Sequence, residues 1–194
     1  MLEMLTLLKA AVDAVSPVSD ASWKEFASIW KPFAAGRKEV ISEAGIQENY
    51  LYFVTEGVQR IYYLDETGRE ATLVFVYAPS FGGIIDSLLL ENPSKYIYET
   101  LTASRFLRAS NADIQNIMHA HADVERMIRT GLTQTLSGMM ERLVEVQCFS
   151  SEEKFRKLLM RSPHILQLVP HKYLANYIGI DPTNFSKLLN RIKV

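Results

Sequence analysis

The sequence lacks the features of a secreted, membrane or metal-cluster protein. Its 194 residues include one cysteine, Cys148, which excludes an intrachain disulfide and a thiolate metal cluster. We expect this thiol to be buried as a small hydrophobic side chain. No apolar run is long enough to cross a bilayer, and residues 1–9 lack the basic start and cleavage site of a secretory signal. These absences favour a cytoplasmic globular protein.

An overall excess of positive charge is also absent, since the net charge is −1. The charges are nevertheless unevenly distributed. Residues 150–194 contain eight lysines and arginines against three acidic residues, a net charge of +5, so residues 1–149 carry −6. A basic C-terminal region on an acidic body suits phosphate binding, although an ordinary solvated surface is the alternative explanation.

The pattern of apolar residues changes twice along the chain. Residues 1–35 have a helical periodicity that ends at Pro32, and from Lys38 onward short β-rich segments alternate with turn signals. Many short, evenly spaced strands predict an antiparallel barrel or sandwich. Helical sequence resumes at Asn111 or Asp113. The predicted regions are residues 1–122, a long helix at 123–149 and a C-terminal domain at 150–194.

An apolar stripe runs along the long helix. Apolar side chains recur there at spacings of three and four, at Met127, Ile128, Leu132, Leu136, Met139, Met140, Leu143 and Val146. The helix's own domain, a twin helix from a second copy, or both must cover such a stripe. We prefer the twin helix, which predicts a homodimer.

The C-terminal region has the pattern of a helix-turn-helix. Ser150-Ser-Glu-Glu is a capping-box start for a first helix, which Ser162-Pro163 ends. In residues 171–190, Gly179 suits the left-handed end of one helix, Asp181 suits the N-cap of the next, and Pro182 suits its first position.

The last helix has one apolar and one polar side. Its inward residues are predicted to be Phe185, Leu188 and Leu189. The outward residues are short polar and cationic groups of the kind that contact DNA: Thr183, Asn184, Ser186, Lys187, Asn190 and Arg191. A helical hairpin that only packs is the alternative.

The order of these regions resembles the Crp/Fnr family of transcription regulators. Glu56-Gly57 matches the turn glycine of the family's β-roll, Pro79-Ser-Phe-Gly-Gly matches the start of its phosphate-binding cassette, and residues 169–188 resemble the helix-turn-helix common in Bacteroidetes members. The resemblance implies an α+β fold. This fold has an N-terminal double-stranded β-roll (jelly-roll-like) with flanking helices, a long dimerisation helix, and a C-terminal helix-turn-helix domain without a complete wing.

The resemblance also implies a ligand pocket in the roll, but the residues for cyclic AMP are missing. The family's cassette begins Phe-Gly-Glu and ends with an Arg-Ser pair, whereas Gly83 takes the glutamate position here and residues 93–96 contain no arginine. We expect a small effector other than cyclic AMP, and no cofactor. The alternative is that side chains fill the roll and no ligand exists. The expected lining residues are Phe81, Gly82, Gly83, Ile84, Ile85, Asp86, Ser87, Lys95, Tyr96, Met139 and Met140.

No metal site is expected. The single cysteine does not fit the iron–sulfur branch of the family. His119 and His121 are two residues apart on a helix and therefore point in different directions.

The DNA-reading positions of the family fall on Pro182, Thr183 and Lys187, where the cyclic AMP receptor has an Arg-Glu pair and a later arginine. Proline cannot form a bidentate guanine contact, so the DNA target should differ from that receptor's palindrome. Lys187 is the best candidate for a base or phosphate contact. The expected DNA-binding residues are His171, Lys172, Pro182, Thr183, Asn184, Ser186, Lys187 and Arg191.

The sequence therefore predicts a homodimeric, cytoplasmic transcription regulator that binds double-stranded DNA, with RNA polymerase as a further expected partner. The alternative is a ligand-sensing or protein-interaction module with weak or no specific DNA binding. An enzyme is not expected, because the sequence offers no plausible nucleophile–base pair, metal set or phosphate loop beyond Gly82-Gly83.

Overall fold

The structure, a computed structural model, describes residues 1–191. It begins with helices α1 (Leu2–Val15) and α2 (Asp20–Ser28). The hydroxyl of Ser19 caps α2 by accepting a hydrogen bond from the backbone N–H of Ser22 at 3.2 Å, as expected of a serine before the first helical turn.

Two four-stranded antiparallel sheets form the β-roll. The strands are β1 (Lys31–Ala35), β2 (Val40–Ser42), β3 (Tyr50–Glu56), β4 (Val58–Leu64), β5 (Glu70–Tyr77), β6 (Ser80–Gly82), β7 (Ile97–Thr100) and β8 (Ser104–Ser110). The first sheet has the order β1-β8-β3-β6 and the second sheet has the order β2-β7-β4-β5. Helix α3 (Ile85–Leu90) lies between β6 and β7 along the chain.

Strand β1 corrects the prediction that residues 1–35 are helical. Pro32 lies within this strand and pairs in register with Leu107 of β8. Because β1 is an edge strand, the missing N–H of proline removes no necessary ladder hydrogen bond. A proline that resembles a helix stop in the sequence thus marks a sheet edge. The short strand β6 was likewise not predicted.

Side chains of the first sheet alternate between two separate cores. Tyr52 and Phe106 face the inside of the roll. Phe53 and Leu107 face the other way and pack with Leu8 of α1 in a core beneath the N-terminal helices. The period of two therefore divides the strands between the roll interior and the helical layer.

Helices α4 (Asn111–Ala120) and α5 (Ala122–Cys148) follow the roll. Val124 and Met127 of α5 are buried in the same core as the N-terminal helices. Most apolar side chains in the second half of α5 are exposed, although Arg142 and Glu145 contact the C-terminal domain. Cys148, which was expected to be buried, is exposed at the end of this helix.

The C-terminal domain contains four helices within the described residues. They are α6 (Ser151–Arg161), α7 (Ile165–Leu168), α8 (His171–Tyr177) and α9 (Pro182–Arg191). The predicted capping box is present, since the Glu153 carboxylate accepts from the Ser150 N–H at 2.8 Å and the Ser150 hydroxyl accepts from the Glu153 N–H at 3.4 Å. The expectation of an incomplete wing concerns residues 192–194, which lie outside the described residues.

The apolar core of the C-terminal domain extends onto the roll. Phe155, Leu174 and Phe185 are fully buried, and the same cluster includes Val58 of β4 and Leu101, which follows β7. The two domains of the chain therefore pack directly on each other. Among residues 1–191, no helix combines the length and the apolar character needed to cross a bilayer.

Candidate nucleic-acid interface and roll interior

The turn between α8 and α9 is built as its sequence predicts. Gly179 has a φ of 65°, and Ala175 is fully buried where the two helices meet. One carboxylate oxygen of Asp181 accepts from the backbone N–H groups of Thr183 at 2.8 Å and Asn184 at 3.3 Å. These hydrogen bonds lower the pKa of Asp181 below its ordinary value, the one from Thr183 contributing most. The cap fixes the start of α9.

The outer face of α9 is free of contacts with the core. Phe185 and Leu188 are buried, with the Phe185 ring 5.2 Å from that of Phe155. Pro182 is exposed, and so are all the predicted outward residues: Thr183, Asn184, Ser186, Lys187, Asn190 and Arg191. This polar side carries two cations and no acidic side chain beyond the cap, so it can accept a phosphate-bearing partner.

Two further predicted DNA-binding residues lie at the start of α8. His171 and Lys172 are both exposed there. The His171 ring lies 5.7 Å from the ring of Phe185, which places it beside α9. The Lys172 ammonium lies 4.6 Å from the ring of Tyr173. The structure thus places both side chains on the surface of the helix-turn-helix.

Aromatic side chains fill the inside of the roll. Tyr52, Tyr98 and Phe106 are buried there, and the rings of Tyr52 and Tyr98 lie 5.7 Å apart. A Cβ added to Gly82 would come within 2.8 Å of the Tyr98 hydroxyl oxygen. Gly83 has a φ of 118°, and a Cβ there would lie 3.3 Å from the Tyr52 ring. The absence of side chains at Gly82 and Gly83 therefore makes room for the rings of Tyr98 and Tyr52 inside the roll.

The predicted pocket residues separate into three groups. Gly82, Gly83, Ile84 and Tyr96 line the filled interior, and Ser87 is buried nearby. Asp86 and Lys95 are exposed. Phe81 and Ile85 instead pack in the core beneath the N-terminal helices, where the Phe81 ring lies 5.2 Å from that of Phe53.

Met139 and Met140 do not join the other predicted pocket residues within the chain. They are 53% and 57% exposed on α5, and neither belongs to the cluster that fills the roll. They lie instead in an uncovered apolar segment of the helix with exposed side chains at Leu132, Leu136, Leu143, Val144 and Val146. This segment, residues 132–146, is called the open segment of α5 below.

The sequence pattern missed a buried carboxylate just before β3. Glu48, 4% exposed, accepts hydrogen bonds from the N–H groups of Asn49 at 2.9 Å and Tyr50 at 3.0 Å, and from the Ser42 hydroxyl. Burial raises the pKa of Glu48 above its ordinary value even though these hydrogen bonds lower it. The hydroxyl of Tyr98 is also buried and has no hydrogen-bond partner among residues 1–191.

The sequence pattern also missed an inward cation. Arg108 lies two residues after Phe106 on β8 and so shares its inward face. Its guanidinium carbon lies 4.4 Å from the ring centres of both Phe33 and Tyr50. Arg108 is opposite Tyr52, which is in turn opposite Gly82, so the three form a row across the first sheet. The strict alternation of this strand was the signal that could have identified Arg108.

Comparisons with known proteins identify this architecture. Residues 32–121 match the family described as cyclic nucleotide-binding domain. FixK2 from Bradyrhizobium japonicum has a similar structure, with a TM-score of 0.77 and 15% identity over 84% of each chain. No curated protein sequence gives a significant match.

Two further solved structures have the same fold. A protein from Eubacterium rectale assigned to the Crp/Fnr family matches with a TM-score of 0.69 and 16% identity over 90% of this chain and 83% of that one. The catabolite activator protein of Thermus thermophilus matches with a TM-score of 0.57 and 17% identity over 91% and 84% of the two chains. At these identities the likeness establishes the fold.

Proposed function

Because the chain has the Crp/Fnr fold and residues 32–121 match the cyclic nucleotide-binding domain, we propose that it is a homodimeric DNA-binding transcription regulator controlled by a small effector. The observation that carries the proposal is the exposed polar face of α9, presented on a helix whose apolar side is buried. In a helix-turn-helix protein this face enters the DNA major groove. Such a regulator acts in the cytoplasm, and RNA polymerase is its further expected partner.

The experiment that tests DNA binding begins with selection of binding sites from a random DNA pool by the full-length protein. Lys187→Ala should then weaken binding to the selected site by about tenfold and reduce its salt dependence by about one phosphate contact. The matched control is Lys24→Ala, which removes the same charge from an exposed position on α2. Equal binding by both variants and the native protein would exclude the assigned face.

The homodimer is supported by the open segment of α5. Leu136 is 60% exposed, and the neighbouring apolar side chains listed above leave a stripe without cover. A second α5 from a twin chain has the matching stripe and can bury both by coiled-coil packing.

A charge in this stripe tests the dimer. Leu136→Glu should convert the dimer to a monomer in sedimentation velocity, because two buried carboxylates would face each other. Gln134→Glu adds the same charge about half a helical turn away and should remain dimeric. A dimeric Leu136→Glu protein would exclude pairing through the open segment.

The effector is proposed to differ from cyclic AMP and to be an anion that contacts Arg108. Tyrosine rings lie against Gly82 and Gly83 inside the roll, a glutamate at position 83 would be strained at a φ of 118°, and residues 93–96 supply no arginine. The guanidinium of Arg108, stacked between Phe33 and Tyr50 at the inward face, is the cation available to replace it.

Inorganic phosphate at constant ionic strength is a suitable first probe of the effector site. Phosphate should raise the Tm of the native protein and of Arg105→Gln, but not that of Arg108→Gln. Arg105 is the matched control, since it lies on the same strand but is exposed beside Glu56 at 3.4 Å. An equal response from both variants would exclude Arg108 as the anion contact.

The second candidate function is a sensor or interaction module with weak DNA binding. The net charge of −1 and the two cations on the outer face of α9 favour it. The two functions differ in salt dependence, because specific DNA binding must weaken steeply as salt rises. Selection that recovers no DNA motif at low salt would favour the second function.

A further inference from the structure

Helix α8 contacts the outer face of the second sheet. Phe75 and Tyr77 of β5 pack against the apolar core of the C-terminal domain, and the ring of Phe75 lies 5.0 Å from that of Tyr177. The hydroxyl of Tyr77 forms a 2.6 Å hydrogen bond with the hydroxyl of Ser162, between α6 and α7. The DNA-binding unit is thus seated on a strand of the roll.

The side chain of Asn176 joins α8 to the edge of this sheet. Its carbonyl oxygen accepts from the backbone N–H of Thr72 at 2.5 Å, and its NH₂ group donates to the carbonyl oxygen of Glu70 at 2.7 Å. In a parallel pair of strands, a residue on one strand bonds to the residues one before and one after the position opposite it on the other strand. Asn176 therefore binds the same two backbone groups that a neighbouring parallel strand would bind. The amide therefore continues the hydrogen bonding of β5, an edge strand.

A largely buried cluster of charged side chains, Arg60, Glu70 and Glu99, lies beside this amide. The guanidinium carbon of Arg60 lies 3.9 Å from the ring centres of both Tyr62 on the sheet and Tyr173 on α8. The same guanidinium pairs with Glu70 at 2.6 Å and Glu99 at 2.8 Å. Arg60 thus connects three strands of the second sheet to the helix-turn-helix.

Helix α8 also touches the long helix. The guanidinium carbon of Arg142 on α5 lies 3.7 Å from the ring centre of Tyr177. Glu145 of α5 pairs with Arg161 of α6. The orientation of α8 is therefore determined by two neighbours, the sensor sheet on one side and α5 on the other.

Strands β4 and β5 have both faces occupied. Ile61, Val74 and Val76 face the roll interior, where an effector would act. Phe75 and Tyr77 face the C-terminal domain. Only the thickness of one sheet separates the sensor interior from α8.

We propose that Asn176 is a positioning residue that sets the orientation of α9, and through it the spacing of the two DNA half-sites, by binding the edge of β5. This proposal rests on the proposed function. The outer face of α9 is exposed while both amide hydrogen bonds are made, so this contact leaves the helix accessible to DNA. A shift of β5 driven from the roll interior reaches α9 by this route, in addition to any shift transmitted through the contact of Arg142 with Tyr177.

The first arm of the test measures orientation without DNA. Spin labels at Glu66→Cys in the β4–β5 turn and Ser186→Cys on α9, in a Cys148→Ser background diluted with unlabelled protein, report the distance between the domains. The native junction should give one narrow distance distribution. Asn176→Leu, which removes both hydrogen bonds at similar volume, should broaden it, and the exposed control Asn116→Leu should not. Asn176→Asp keeps the acceptor but loses the donor, and should give an intermediate width.

The second arm measures half-site spacing. With a selected site, the native dimer should lose about fivefold or more in affinity when the spacer changes by one base pair, whereas Asn176→Leu should lose less than about twofold. The preferred half-site sequence should not change, since Asn176 does not contact DNA. Unchanged distance distributions, or an unchanged spacing profile in a folded variant, would overturn the role of Asn176. A broadened distribution in a protein that selects no DNA would support Asn176 and reject the proposed function instead.

Discussion

The two sheets of the roll are covered by different kinds of contact. Phe53 and Leu107 of the first sheet pack with the N-terminal helices in an apolar core. The second sheet meets the C-terminal domain through an amide, a buried arginine and a pair of hydroxyls as well as apolar side chains. Apolar cores resist rearrangement because packing is dense, whereas polar contacts with specific geometry can be exchanged between two arrangements. The first sheet is thus held by a dense apolar core, whereas the second sheet meets the C-terminal domain through contacts of the kind whose partners can be exchanged.

The largest expected effect comes from removing a ring beneath the N-terminal helices. Phe53→Ala should lower the free energy of unfolding by about 3–5 kcal/mol, because Phe53 is fully buried. Phe75→Ala, at the half-buried junction on the second sheet, should lower it by about 1 kcal/mol. Urea denaturation followed by circular dichroism measures both. Equal losses would remove the contrast between the two sheets.

A somewhat smaller loss is expected from the ion cluster. Arg60→Met should cost about 3 kcal/mol, since it leaves Glu99 buried without its partner. Arg105→Met is the matched change on the first sheet, where the side chain is 73% exposed, and should have little effect. The same denaturation experiment distinguishes them, and a stable Arg60→Met protein would show that the junction does not depend on this charge.

The smallest effect concerns Glu48, which bridges the sheets by accepting from Ser42 of β2 at the start of β3. Burial raises its pKa in the folded protein above the ordinary 4.5. Between pH 4.5 and the raised pKa, the folded state keeps the carboxyl proton that the unfolded state loses. The free energy of unfolding therefore falls as the pH rises through this range.

Glu48→Gln should remove this fall. The variant should be more stable than the native protein at neutral pH, and the difference should vanish below pH 4.5. Thermal unfolding across this pH range measures it. A difference that does not vary with pH would mean that the carboxyl is not protonated on folding.

Local patterns predicted much of the fold, and the Crp/Fnr resemblance is confirmed at the level of the whole architecture. The short antiparallel strands after Lys38, the capping box at Ser150 and the turn at Gly179 depend on neighbours in sequence, and all three are present as predicted. Pro32 was misassigned because a proline ends a helix and tolerates a sheet edge equally well.

The sequence pattern could not predict contacts between residues that are far apart in the chain. Asn176 and Thr72 are 104 residues apart, and no periodicity indicates that an amide on one helix completes a strand elsewhere. Phe81 and Ile85 were assigned to the pocket from their positions in the cassette. The side chains of the cassette instead alternate between two cores, and these two pack beneath the N-terminal helices. Cys148 is exposed because the end of its helix lies outside the core beneath the N-terminal helices, which buries the start of that helix.

The backbone conformation of Gly83 also limits which substitutions this protein can accept during evolution. A side chain at this position would have to adopt a φ of 118° and would meet the ring of Tyr52. An added Cβ would also lie 3.3 Å from the Tyr50 carbonyl oxygen. Replacing Tyr52 would relieve only the contact with its ring and would leave the backbone strain, so we expect glycine to persist at this position even where the residues around it vary.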